Sequence, residues 1–482
     1  MAAIPNLQSA IRNSLAMHRV LAIARLTLKS AFGYRLFWVM AALLVAAVVG
    51  LPLVLKDVDT AEGLAEILLT YTLSAITVLL GIATLWLSCG TLARDIEDCQ
   101  IQVVCTKPVA RWQVWLGKWL GILALDAILL AISGTAVFML VQWRSHKLPI
   151  EEQAKLRSEI FVGRAAARER PPDIMAEARR RAQKWLKDWQ AKNPSAQFTN
   201  PDEIKQINNL ILAQVRSEKE EVASHYQNQW IIPLSSLPPG VRSQPMQLRV
   251  KFHVGDPVPK TFYPILWRIG PTNSPNPQFI DESLPPDSFQ EINISPLLDD
   301  NGVLTVICAN PNDTSLFFPI EDGFELLYRE SSFAVNFARG LTVILCWLGL
   351  LSAMGLASAS FLSFPVAAFC SLAVLMVGLS TGTLSAVQES KSIFPYDSRG
   401  QPGPIKKFID SFSVPAFGAV LKVVKLVEGF SPVDDLSTGH SVTWGQLGRA
   451  VEQIVLLMGG FFAVAGILLF NRRELAAVQA NG

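Results

Sequence analysis

Six apolar stretches, near 36–55, 66–90, 117–142, 334–362, 365–387 and 447–470, constrain this chain more than any other feature. Each is long enough to cross roughly 30 Å of hydrocarbon as a helix, which takes about 20 residues. Inside lipid the backbone must satisfy its own hydrogen bonds, so these segments are expected to be helical. Half of the 482 residues are hydrophobic, yet 17% are charged. Apolar spans therefore alternate with ordinary water-exposed stretches. The expected fold is a polytopic α-helical membrane protein with six transmembrane helices and a large α+β insertion after the third. The first apolar run follows a basic leader carrying Arg12, Arg19, Arg25, Lys29 and Arg35, so it is expected to remain as an anchor.

Lysine and arginine in the short flanks set the expected orientation. The leader, the connector 91–118 and Arg472-Arg473 are all positive, and six spans put these three on one side. Both termini and the connector are then cytoplasmic, and 143–333 lies outside, where long segments translocate regardless of charge. A net charge of +2, with no basic patch interleaved with aromatics, gives no reason to expect nucleic-acid binding. The six cysteines include no CxxC pair and no Cys/His ligand spacing, so no metal site is expected. The phosphate-binding pattern GxxxxGK[ST] is missing as well, so no nucleotide cofactor is expected on this chain.

The connector itself is structured and charged. Asp95, Glu97 and Asp98 open a helix-compatible run, which the proline of Lys107-Pro108 interrupts. A second helix begins near Arg111, with Trp112, Trp115 and Trp119 at helical spacing. At Ile96-Glu97, Lys107-Pro108-Val109, Arg111 and Gly117-Lys118 the chain resembles the permease subunits of ABC-2 type ATP-binding-cassette transporters. The resemblance resumes at Phe361–Val366 and at Asn471–Leu475. Where family members usually carry a small Gly-Thr pair after the acidic element, this chain has Cys99-Gln100. The resemblance implies a non-catalytic permease that pairs with a second permease subunit and works with separate cytoplasmic ATPases, exporting a substrate across a bacterial inner membrane. It also implies ATPase coupling through Arg94, Asp95, Glu97, Lys107, Pro108 and Arg111. The rival reading is a membrane-anchored sensor or scaffold whose outer domain binds a cell-envelope component.

Four regions follow: 1–142, with the leader and three spans; 143–228, an outer helical segment; 229–332, an outer β-sandwich; and 333–482, with three spans. In the second, Asn200-Pro201-Asp202-Glu203 signals a helix start, and Ile204, Ile207, Leu210, Ile211 and Val215 form an apolar stripe. In the third, Leu248, Val250 and Phe252 alternate with Arg249, Lys251 and His253, and Asp299-Asp300-Asn301-Gly302 signals a hairpin before the strand Val303–Ala309. Paired carboxylates such as Asp299 and Asp300 fall where turns favour acids anyway, so no enzyme activity is expected. Ala416–Glu428, in the outer loop 388–446, carries Lys422, Lys425 and Glu428 on one face and apolar residues opposite. It either closes the outer mouth of a pathway or lies flat as an anchor. Asp126 stands alone in the third span, either lining a pathway or satisfied by Tyr71, Thr72, Ser74 and Thr77 of the second.

Overall fold

The computed structural model describes residues 4–33, 35–54, 60–101, 109–170, 172–192, 201–235, 237–242, 244–255, 260–271, 276–299, 301–379, 418 and 430–473. Two compact units emerge: Met1–Gly163 with Ser332–Gly482, and Arg164–Ser331. In chain order the principal helices are α1 (Ile4–Ala31), α2 (Arg35–Val54), α3 (Gly63–Glu97), α4 (Arg111–Ser145), α5 (Ile174–Lys192), α6 (Pro201–Glu220), α7 (Phe333–Ala359), α8 (Phe364–Leu379), α9 (Pro432–Ser437) and α10 (Trp444–Arg472).

In the first unit, α3, α4, α7 and α10 are long and apolar enough to cross a membrane. At 35 residues each, α3 and α4 run about 52 Å, well past the roughly 30 Å hydrocarbon layer, so their charged ends fall outside it. Two further stretches read as spans contain the shorter apolar segments Phe37–Leu51 of α2 and Phe364–Met376 of α8; residues 380–387 lie outside the described residues. Large apolar side chains such as Val45, Ile82, Ile132, Leu456 and Phe461 face outward, a surface suited to lipid. This is a helical membrane protein with a β-structured insertion.

Helices α3 and α4 pack antiparallel, as shown by the pairs Asp95–Lys118 and Thr84–Asp126. Leu73, Ile76, Leu80, Leu130, Val137 and Ile344 fill the core between them and α7. On its other side α4 receives α1. A Cβ on Gly117 would come within 2.7 Å of Ile23, and one on Gly121 within 2.7 Å of the Ala24 carbonyl and of Thr27. Two glycines four apart thus form the trough in which α1 lies, the small-residue contact that lets membrane helices approach closely.

The second unit holds strands β1 (Val162–Ala167), β2 (Glu221–Val222), β3 (Gln227–Pro233), β4 (Met246–Val250), β5 (His253–Val254), β6 (Tyr263–Ile269), β7 (Gln278–Leu284), β8 (Gln290–Ile294), β9 (Val303–Ala309), β10 (Leu316–Phe317) and β11 (Phe324–Ser332). They form three sheets, ordered β1-β11-β4-β8, β2-β10-β5 and β3-β9-β6-β7. Leu248, Ile292 and Leu326 from the first, Leu316 from the second, and Ile232, Trp267 and Val306 from the third meet in one apolar core. Trp230 stacks on Phe324 at 4.3 Å between ring centres. The hairpin signal is used: Asp299 Oδ1 accepts from the Val303 N–H at 2.7 Å, and Gly302 takes φ +72°. Asp300 lies outside the described residues. Strand β1 falls inside the stretch read as helical. It is held by Arg164, which is buried and donates to Gln247 and bidentately to Glu291 at 2.6 and 3.1 Å. Beside these sheets α6 begins at Pro201 and buries Val215, while Leu210 stays exposed.

Candidate functional site

Four described residues of the proposed coupling segment tie to three helix ends. Asp95 accepts from Lys118 Nζ at 2.5 Å, and the same ammonium donates to the Thr91 carbonyl at 2.9 Å, fastening the end of α3 to α4. Glu97 Oε1 accepts from the Phe364 backbone N–H at 3.0 Å. That amide is an unsatisfied donor at the positive end of α8, where a carboxylate is favoured. Arg94 lays its guanidinium 4.6 Å over the Phe364 ring, strengthening the same joint through a cation–π contact. Arg111 donates to the carbonyls of Phe470, Asn471 and Arg473 at 2.6, 3.0 and 3.0 Å, capping the negative end of α10.

Gly117-Lys118 does two jobs at adjacent positions. The glycine seats α1 and the lysine, 7% exposed, pairs back to α3. Ile101, at the far side of the acidic residues, is buried with Leu92, Trp115 and Phe470. Lys107 and Pro108, with Val103 and Val104, lie outside the described residues. Cys99 follows the last turn of α3 with φ +57°, its amide bonded to the Ile96 carbonyl at 3.2 Å. This is the left-handed position after a helix that glycine occupies most easily.

Asp126, 2% exposed, has Thr84 as its partner: Thr84 Oγ1 donates to Asp126 Oδ1 at 2.9 Å. The Tyr71–Thr77 group is not involved. Thr72 and Thr77 return their hydroxyls to the carbonyls of Ile67 and Leu73 on their own helix, and the antiparallel register of α3 and α4 brings Thr84 level with Asp126 instead. Asp126 Oδ2 is buried without a partner. Asp126 and Thr84 line a cavity of about 290 Å³ enclosed by residues of α1 to α4, with Arg94 also on its wall.

In the second unit, a pocket of about 250 Å³ is lined by Arg168, Glu169, Arg170, Lys219, Trp230 and Phe318, among others. Burial raises the Glu169 carboxyl above its ordinary range, against an opposing hydrogen bond with the Ile231 backbone. Lys422, Lys425 and Glu428 lie outside the described residues. At the start of α7, Phe333, Phe337 and Arg339 are buried. Arg339 donates to the Val442 carbonyl at 3.1 Å and stacks on Trp444 at 4.5 Å. No protein-family model matches the chain, and no curated protein or solved structure matches it either.

Proposed function

We propose that the chain is the membrane-spanning permease subunit of an ATP-driven transporter of the ABC-2 type, with its ATPase on a separate polypeptide. One observation carries this reading: Asp95, Glu97 and Arg111 bind the connector between α3 and α4 to α4, α8 and α10. A push on that connector is therefore delivered to several helices at once, which is what a subunit lacking its own nucleotide site needs. In this reading the chain makes six crossings, with α2 and α8 completing the set begun by α3, α4, α7 and α10, and both termini lie on the cytoplasmic side of a bacterial inner membrane. The second unit then lies outside as a β-sandwich, and two permease subunits form the pathway between them.

The pocket beside Trp230 favours a second reading, in which the outer domain of a membrane-anchored sensor or scaffold holds an anionic envelope component on Arg168, Arg170 and Lys219. Purification of the full-length chain from native membranes, followed by mass spectrometry of its partners, separates the two. An ATP-binding-cassette subunit at comparable abundance supports the permease. Recovery with envelope proteins and no such ATPase overturns it.

A further inference from the structure

The cavity between the first four helices is small and chemically uneven. At about 290 Å³ it falls just under the usual range for small-molecule pockets, about 300 Å³ upward. Phe37, Met40, Leu87, Leu125 and Leu129 give it apolar walls, and Trp86, 46% exposed, stands at its edge, so it is reached from the outer surface of the helices. Thr84, Thr91 and Arg94 also line it, and its buried carboxyl is Asp126, whose Oδ1 is occupied by Thr84 while Oδ2 has no partner.

A carboxyl buried this deeply is costly until both oxygens are satisfied and any charge is met. No described lysine, arginine or histidine forms an ion pair with Asp126. Arg94, on the same cavity wall, is ten residues beyond Thr84 on α3, about 15 Å along the helix, with its guanidinium over Phe364. A single water would be a poor substitute. Buried waters typically need two to four polar partners, and here the Thr84 proton is already given to Asp126 while the remaining walls beside it are apolar.

We propose that this cavity binds a single-chain aliphatic amine that enters from the bilayer, with its amine on Asp126 Oδ2 and its chain along the wall formed by Trp86, Leu87 and Leu125. An amine satisfies the free oxygen in either protonation state, as ammonium to carboxylate or as amine to carboxylic acid. A fatty-acid anion would bring a second acid, and an alcohol would leave a charge unmet when the carboxyl is ionised, so an amine is the group that suits both states. The modest volume suits one chain and excludes a two-chain lipid. This site is independent of the ATPase assignment, because binding is read on the isolated chain.

The test uses the purified full-length protein in lipid nanodiscs and a dodecylamine carrying a photoreactive diazirine in its chain, with adducts mapped by mass spectrometry. Adducts are expected within 83–94 and 125–129, displaced by dodecylamine at least tenfold better than by dodecanoate. Asp126→Asn keeps the shape and is expected to lower labelling at least tenfold. Ala83→Leu fills the cavity without touching the carboxyl and is expected to do the same. Equal displacement by dodecanoate, adducts only elsewhere, or undiminished labelling in both variants overturns the proposal. The displacement comparison on the unmodified protein decides the matter if either variant fails to fold.

Discussion

Cys99 and Asp435 each hold a conformation or a charge state at a cost. Cys99 takes φ +57° where a glycine would carry no Cβ penalty, and the left-handed conformation costs an ordinary L-residue about 1–2 kcal/mol. Cys99→Gly is therefore expected to stabilise the end of α3 by about 1 kcal/mol, and Cys99→Val to destabilise it. Thermal unfolding midpoints of the purified variants, ordered Gly, Cys, Val from high to low, check this; equal midpoints or a reversed order contradict it. At Asp435 burial, assisted by the neighbouring Asp434 and opposed by His440, pushes the carboxyl from 3.8 up to about 6. The folded state then holds the proton more tightly than the unfolded one. The stabilisation is full below pH 3.8, and it is lost as the pH rises through about 6. The change is on the order of 2–3 kcal/mol, less whatever solvent reaches the half-buried group. Hydrogen exchange of α9 is expected to quicken between pH 4 and 7 in the native protein, after correction for the intrinsic pH dependence, and to lose that excess in Asp435→Asn.

At the scale of elements, the sequence is informative where a signal is local and silent where a partner is distant. Strands β6 and β9 follow their alternation, and α6 starts at its Pro201 signal. Strand β1, by contrast, reads Val-Gly-Arg-Ala-Ala-Ala with no alternation. What holds it is Glu291, 127 residues away, gripping Arg164. The same holds at the candidate site. Glu97 is recognisable as an acid near a helix end, but its role at Phe364 is set across 267 residues. Gly117 and Gly121 acquire meaning only once α1 lies against α4. Because a Cβ at Gly121 meets the Ala24 carbonyl, which has no rotamer to escape into, Gly121→Leu is expected to cost about 1–3 kcal/mol and to lift α1 from its trough. Limited proteolysis should then cut within α1 at protease levels that leave the native protein whole; equal resistance would show that α1 is held elsewhere.

For the whole molecule, the proposed permease reading rests on the long apolar helices and on the ties that join their ends. Asp95, Glu97 and Arg111 act as internal fasteners between helix ends. Fold class was accessible from apolar run length, since a helix must match the bilayer to satisfy its backbone. The mechanical joint was not, because it is made of pairs far apart in sequence. The most direct test of the central claim is nucleotide hydrolysis by the full-length protein isolated with its partners from native membranes and placed in nanodiscs. The account predicts vanadate-sensitive ATP hydrolysis that follows the chain through purification and falls when Arg111→Ala releases the end of α10. Preparations that retain the intact chain and its stoichiometric partners, yet hydrolyse no ATP above background, would contradict it.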